Sequence, residues 1–254
     1  MIYLGIDDTD NHLSGGTGRV ARTLAAGLRA EGWSVRGVSR HQLLKDPRVP
    51  YTSNNSSNVI HVLNSPAQVR SSPRDAIESF VRATLPALCL EGSDPGYAVL
   101  TAPFRNHPFG RWAQEKVLSK RMALDLAAEE GIPIGELGGT GDGVVGALAG
   151  VLLAAGGSDG RFVDLGLLRF LEGDCTAQQL LDAGAQDLFG LSGERVTAGV
   201  IETQGRVRPL LRGGRAVLFL EPLSKDVWRV EQTGKSGRGP HGHSERVEDD
   251  GRSR

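Results

Sequence analysis

Carboxylates and glycines are concentrated at the start of the chain. The apolar run at residues 2–6 predicts a strand, and Asp7, Asp8 and Asp10 follow it directly. A glycine-rich segment then leads into a helical pattern: Gly15, Gly16, Thr17 and Gly18. Carboxylates can hold a divalent cation, and a glycine loop at a helix N-terminus can bind phosphate through its backbone N–H groups. We therefore predict a Mg²⁺ and phosphate site here, with a nucleoside triphosphate as the favoured ligand.

The same residues also have structural interpretations. Isolated Asp residues favour turns and N-caps, and Thr17 could simply cap the helix. In the functional interpretation the Thr17 hydroxyl touches phosphate or metal instead. The P-loop spacing with its Gly-Lys-Ser/Thr ending is absent from the sequence, so a triphosphate site here is of another type.

A second glycine loop, at residues 138–143, precedes a helix of small apolar residues. Glycines permit close backbone approach and positive φ, and a helix N-terminus presents free N–H groups. We predict that Gly139, Gly141 and Gly143 bind the phosphates. The alternative is a plain turn into a buried helix. Asp142 within this loop would repel phosphate unless it holds metal or caps the helix.

Two further features lie near each other in the sequence. The polar run at residues 54–58 could hydrogen-bond a substrate or a base, and a solvated loop is the alternative. His41 lies in a predicted strand before this run, and a lone histidine is more often structural than catalytic.

Composition limits the class of protein. The 254 residues are 39% hydrophobic and 23% charged, as in soluble globular proteins. The net charge of -1 argues against a large basic surface. The two cysteines, Cys89 and Cys175, exclude a zinc ribbon. No apolar stretch reaches the ~20 residues of a membrane helix, and no signal-peptide pattern is present, so we expect a cytoplasmic protein that holds no zinc and contacts no membrane.

The order of patterns predicts an α/β fold: a mixed sheet flanked by helices, with a smaller β-rich C-terminal part. A single helix is predicted over residues 112–130, and short strands over residues 195–203 and 206–211. We expect a nucleotide-binding domain at residues 1–172, a small β-rich subdomain at 173–233 and a disordered tail at 234–254, where apolar periodicity is absent.

Several motifs, in order, resemble one family. Residues 5–10, Gly-Ile-Asp-Asp-Thr-Asp, are similar to the opening of the archaeal agmatinylcytidine synthetases, the TiaS family, which modify the wobble cytidine of an isoleucine tRNA. Residues 47–51, 94–96 and 141–149 are similar to later segments of that family. The resemblance covers about residues 1–168.

The resemblance implies an ATP-dependent kinase-like domain that cleaves ATP to AMP and pyrophosphate. It assigns Mg²⁺ to the three N-terminal carboxylates and triphosphate contacts to Gly141 and Gly143. Thr17 corresponds to a family threonine that becomes phosphorylated. The family arginine between the loop glycines is Asp142 here. The family's zinc ribbon cannot form, and its oligonucleotide-binding barrel has no match, so agmatine transfer to tRNA is not favoured.

We therefore predict an enzyme, an ATP- and Mg²⁺-dependent phosphotransferase or ligase with Asp8 and Thr17 at its catalytic centre. Its substrate is expected to be small or nucleoside-like. One alternative is a tRNA cytidine-modifying enzyme that works with a partner. The other is a module that senses nucleotide without turnover.

Overall fold

The computed structural model describes residues 1–10, 16–49, 54–67, 69–104 and 107–231. Its helices are Thr17–Ala30 (α1), Pro73–Thr84 (α2), Phe109–Glu115 (α3), Lys120–Glu130 (α4), Gly143–Ala155 (α5) and Ala177–Asp182 (α6), with short 3₁₀ helices at Leu85–Leu88 and Leu168–Phe170. Its strands are Ile2–Asp7 (β1), Ser34–Gln42 (β2), Ser56–Asn64 (β3), Gly96–Thr101 (β4), Ile134–Glu136 (β5), Arg161–Leu165 (β6), Asp174–Thr176 (β7), Asp187–Gly190 (β8), Val200–Glu202 (β9), Leu210–Arg212 (β10), Arg215–Ser224 (β11) and Val227–Val230 (β12). Among these described helices, none is both long enough and apolar enough to span a bilayer.

These strands form one sheet in the order β5-β4-β1-β3-β2-β6-β10-β11-β12-β9-β7, and β8 pairs with β11. Strand β1 lies between β3 and β4 and is antiparallel to both. The β8–β11 and β9–β12 pairs are parallel, so the sheet is mixed. This confirms the predicted α/β class, including its strand-rich C-terminal part.

Helices cover both faces of the β1 region. Successive side chains of a strand point to opposite faces, and β1 follows this rule. Tyr3 packs in the core cluster formed with α3, α4 and α5. Leu4 and Ile6 pack in the cluster formed with α1 and α2. The end of β1, where the carboxylates begin, is therefore held between two helical layers.

A third core belongs to the C-terminal strands. Phe162, Leu165 and Leu168 pack in it with apolar residues between positions 175 and 230. Strand β6 pairs with β2 and, through Arg161 and Leu210, with β10. Sheet and core thus continue across residues 172–173, where the domain boundary stays a prediction. The predicted tail at 234–254 lies outside the described residues.

The prediction of one helix over residues 112–130 is wrong. Helix α3 ends at Glu115, and Lys116 is extended (φ -145°, ψ 159°). Helix α4 restarts after Ser119, whose hydroxyl accepts the backbone N–H of Met122 at 3.3 Å. A serine N-cap is a recognised signal for the start of a helix. It was overlooked because the helical pattern of apolar residues continues on both sides of Ser119. The predicted strands at 195–203 and 206–211 are also shorter, at Val200–Glu202 and Leu210–Arg212.

Glycines allow α5 to approach the sheet closely. A Cβ atom on Gly5 would lie 2.6 Å from the carbonyl oxygen of Ala147. One on Gly96 would lie 2.2 Å from the backbone nitrogen of Val144, and one on Gly150 would lie 2.3 Å from the Ser57 hydroxyl. Real Cβ atoms do not come this close to other heavy atoms, so α5 can pack at this distance only against glycine.

We expect Gly5→Ala to lower the free energy of unfolding by about 1–3 kcal/mol, the usual cost of overpacking. The control is Gly156→Ala at the end of α5, where φ is -65° and the nearest atom to a Cβ is 3.4 Å away. That variant should keep or gain stability, by up to about 1 kcal/mol. Urea denaturation measures both. Equal stability of the two variants would contradict the close packing.

Candidate functional site

A cavity of about 670 Å³ opens where the end of β1 meets the N-termini of α1 and α5. Most of the residues predicted for the site line it: Asp7, Asp8, Asp10, Gly16, Thr17, Gly18 and Gly143. Gly139 and Gly141 are not among the lining residues, although their neighbours Thr140 and Asp142 are. Gly15 lies outside the described residues. The fold thus brings the acidic opening and one end of the second glycine loop to one place.

Asp8 adopts a left-handed backbone conformation, with φ at +52°. Such a conformation is uncommon for residues other than glycine, and Asp and Asn tolerate it best. It turns the chain sharply at the end of β1, so that Asp7, Asp8 and Asp10 all reach the cavity. Strained backbone of this kind is frequent at functional sites.

The carboxylates are held where their charges are unfavourable. Burial raises the pKa of Asp7 to about 7; a hydrogen bond from the backbone of Asp8 opposes this rise, and two neighbouring carboxylates add to it. Burial also raises the pKa of Asp8 to about 6, and the charges of three further acids add to this effect: Asp94, Asp10 and Asp142. A bound cation would relieve this repulsion.

The described residues contain no ready-made cluster of three or more His, Cys, Asp or Glu side chains that could hold a metal ion. Mg²⁺ needs less, because it commonly binds one or two carboxylates, water and substrate phosphate. A further oxygen is available in the cavity wall. Asn58 Oδ1 is buried and has no hydrogen-bond partner in the described part of the chain. The residues present therefore fit Mg²⁺ that is shared with a phosphate ligand.

Thr17 is the first residue of α1 and is buried. Its hydroxyl donates a 2.6 Å hydrogen bond to Asp10 Oδ1. Thr17 is not the N-cap of α1. Gly16 occupies that position and makes no side-chain hydrogen bond. No described residue accepts a hydrogen bond from the backbone N–H groups of Thr17 or Gly18, and both residues line the cavity.

The backbone N–H groups of residues 140–143 in the second glycine loop already have acceptors. Asp94 holds the loop, since its side chain accepts the N–H of Thr140 and its carbonyl accepts that of Gly143 at 3.2 Å. The N–H groups of residues 141, 142, 144 and 145 also have acceptors within the loop or helix. Gly139 and Gly141 have φ of +56° and +73°, which explains the glycines by chain geometry. Asp142 precedes α5, but its side chain makes no capping hydrogen bond.

The wall of the cavity also carries a group of arginines that was missed in the sequence. Seven arginines line it, and we call five of them the arginine wall: Arg22, Arg40, Arg169, Arg206 and Arg208. One signal was available, because Arg206 and Arg208 are two residues apart around the buried Val207. The net charge of -1 conceals this local excess of positive charge.

His41 belongs to a buried polar network, not to the cavity. Its Nδ1 lies 2.9 Å from Asp159 Oδ1, and its Nε2 lies 2.7 Å from the Ser39 hydroxyl. The same hydroxyl is 2.7 Å from His61 Nε2. The order Ser–His–Asp resembles a hydrolase triad, but Ser39 and His41 have 0% exposure and do not line the cavity. The network instead connects β2 to β3, through His61, and to Asp159, which lies two residues before β6.

Comparisons with known proteins extend these findings. No family model and no curated protein matches the chain. Among solved structures, a tRNA fluorescent labeling enzyme is 25% identical with a TM-score of 0.51. A TiaS–tRNA(Ile2)–ATP complex is 24% identical with a TM-score of 0.50. Each match covers 59% of this chain and 35% of the other. The likeness confirms the resemblance seen in the sequence, because part of this chain has the fold of a TiaS-like domain. The matched part spans about a third of the length of those proteins.

Proposed function

We propose that this chain is an ATP- and Mg²⁺-dependent phosphotransferase or ligase whose reaction takes place in the cavity described above. The observation that carries the proposal is the meeting of the acidic end of β1 with the N-terminus of α1 in one cavity. The fold shared with a structure that holds ATP supports it. Asp7, Asp8 and Asp10, with Asn58 Oδ1, would hold Mg²⁺, which when bound neutralises phosphate charge and orients the phosphates.

The chain's own groups then do the rest. The N–H groups of Thr17 and Gly18, at the positive end of the α1 dipole, bind a phosphate oxygen. Thr17 supplies a hydroxyl whose oxygen can attack the γ-phosphorus of ATP, and Asp10, at 2.6 Å, takes the hydroxyl proton. The bond from that phosphorus to the bridging oxygen breaks, and ADP leaves. Gly143 allows close packing beside the acids. Its N–H donates to the Asp94 carbonyl and does not bind phosphate in this proposal. Gly139 and Gly141 remain predicted phosphate contacts. The Gly141 N–H already donates to the Gly138 carbonyl, so Gly141 would use another atom.

A second candidate is tRNA modification, and the arginine wall favours it over a small uncharged substrate. The two solved structures described above are of a tRNA-labeling enzyme and of a complex with tRNA. Incubation with ATP and product analysis tests the main proposal. AMP with pyrophosphate, or ADP, supports an enzyme. Tight ATP binding without any product would support a nucleotide-sensing module instead.

We expect Asp8→Asn to weaken Mg²⁺-dependent ATP binding at least tenfold, about 1.4 kcal/mol, because the amide cannot replace the charge. Asn adopts the left-handed conformation readily, so the melting temperature should stay close to wild type. The control is Asp174→Asn, an exposed acid outside the cavity. Calorimetry with and without EDTA measures the affinity. An affinity that neither EDTA nor Asp8→Asn alters would place the nucleotide elsewhere.

We expect the stability of the Mg²⁺-free protein to fall as pH rises from about 4 to 7. The pKa of Asp7 is raised to about 7 in the folded state, so the folded protein binds its proton more tightly than the unfolded chain does. That stabilisation is complete below the unfolded pKa and is lost as pH passes the folded one. Between pH 5 and 8 the melting temperature of wild type should fall at least about 2 °C further than that of Asp7→Asn, about 1 kcal/mol. Parallel curves for the two proteins would exclude this role for Asp7.

We expect Thr17→Val to abolish ATP turnover, while Thr17→Ser keeps part of it, because only the Ser variant retains a hydroxyl beside Asp10. If Thr17 is merely structural, Thr17→Val should cost about 1 kcal/mol for the lost hydrogen bond and keep its activity. Intact mass after incubation with ATP gives a second readout. One added phosphate should be found in wild type and Thr17→Ser and not in Thr17→Val. Full turnover by Thr17→Val would remove Thr17 from the chemistry.

A further inference from the structure

The arginine wall is assembled from distant parts of the chain. Arg22 comes from α1, Arg40 from β2, Arg169 from the 3₁₀ helix after β6, and Arg206 and Arg208 from the segment before β10. All five line the cavity that also contains the acids. The fold therefore gathers like charges that are separated by up to 186 positions in the sequence.

Most donors of these arginines have no partner in the described part of the protein. Arg22, Arg206 and Arg208 form no hydrogen bond or ion pair with any described residue. Arg40 donates Nε–H to the Ser56 hydroxyl at 2.9 Å. Arg169 has one long contact, 3.4 Å, to the Val163 carbonyl. A guanidinium group carries five N–H donors, so the wall as a whole keeps most of its donors available to a ligand.

The arrangement is electrostatically unfavourable without an anion. Burial lowers the pKa of Arg22, and the charges of Arg169, Arg206 and Arg208 lower it further; only Asp164 opposes them among the nearby groups. Burial and the charge of Arg208 lower the pKa of Arg40, and the charge of Asp10 opposes them. Several guanidinium groups facing one space match phosphate, whose oxygens accept from more than one arginine. A carboxylate would occupy only one or two of them.

Three members of the wall are separated in sequence from the predicted triphosphate site. The residues proposed for ATP and Mg²⁺ lie within the segment that resembles TiaS, residues 1–168, as do Arg22 and Arg40. Arg169, Arg206 and Arg208 follow that segment.

We propose that the arginine wall binds a phosphate ester on the acceptor substrate, beside the ATP site. This inference rests on the proposed function, because it names the substrate that receives the transferred group. The ester can belong to a free nucleotide or to the backbone of a single-stranded RNA, and the experiment separates these two sources.

The test uses the full chain saturated with a non-hydrolysable ATP analogue and Mg²⁺, so that the nucleotide site is filled. Calorimetry measures binding of the four nucleoside 5′-monophosphates, with the unphosphorylated nucleosides as controls. Fluorescence anisotropy measures binding of a labelled single-stranded RNA of twelve nucleotides. The variant is Arg206→Gln with Arg208→Gln. The matched control is Arg70→Gln with Arg121→Gln, two exposed arginines that do not line the cavity.

We expect the Arg206→Gln, Arg208→Gln protein to bind the phosphorylated probe at least tenfold more weakly than wild type and the control do. Its affinity for the ATP analogue should stay within twofold. Binding of a monophosphate indicates a small phosphorylated acceptor, and binding of the RNA alone indicates a polynucleotide; either result supports the phosphate-ester site.

Three results would overturn it: wild type binds neither probe, the double variant binds them as wild type does, or the variant loses the ATP analogue to the same extent. The last result would assign these arginines to the triphosphate. Failure of wild type to bind the ATP analogue is a different outcome. It refutes the proposed function, and the probes titrated without nucleotide then still report on the arginine wall.

Discussion

The site depends on the close approach of helix α5 to strands β1 and β4. A Cβ atom on Gly146 would lie 1.6 Å from Asp7 Oδ2, and one on Gly143 would lie 2.9 Å from the Asp7 carbonyl oxygen. Only glycine at these positions lets the first turn of α5 share space with the end of β1. Side chains there would push the helix away and separate the acids from the loop that precedes it. The small residues of α5 thus fix the geometry of the carboxylates as well as the packing of the core.

Acids and arginines form two groups of like charge in the cavity that this packing creates. Acids repel one another at the end of β1, where the pKa of Asp7 is raised to about 7 and that of Asp8 to about 6. Arginines repel one another on the arginine wall. Each group would be more stable if it were dispersed over the surface. Both groups line one cavity, and Asp10 is close enough to Arg40 to raise its pKa. The cavity is therefore suited to a ligand that brings a cation to the acids and phosphate to the arginines.

Sequence patterns predicted many individual strands, helices and loops but not which of them come together in the fold. The run at residues 2–6 alternates between two buried faces, so its strand and the acids after it could be identified from the sequence. The break between α3 and α4 depends on one hydroxyl at Ser119, which a continuous helical pattern hides. The arginine wall could not be predicted, because its members come from elements whose pairing, such as β6 with β10, is a long-range property. Likewise Asp94, which holds the second glycine loop, is 46 positions away from the Thr140 amide that it accepts.

The second glycine loop illustrates how the same residues can serve a different end. Its resemblance to the TiaS loop suggests phosphate binding, yet its amides at residues 140–143 are occupied. The family's arginine is Asp142 here, which lines the cavity and adds to the repulsion at Asp8. An acid at this position makes the α5 side of the cavity more negative. Lys120, which donates to the Thr140 carbonyl, adds positive charge to this cavity, as do Arg169, Arg206 and Arg208 from beyond the segment that resembles the family. The cavity therefore holds both acids and basic groups, and a ligand that satisfies both must contact each of them.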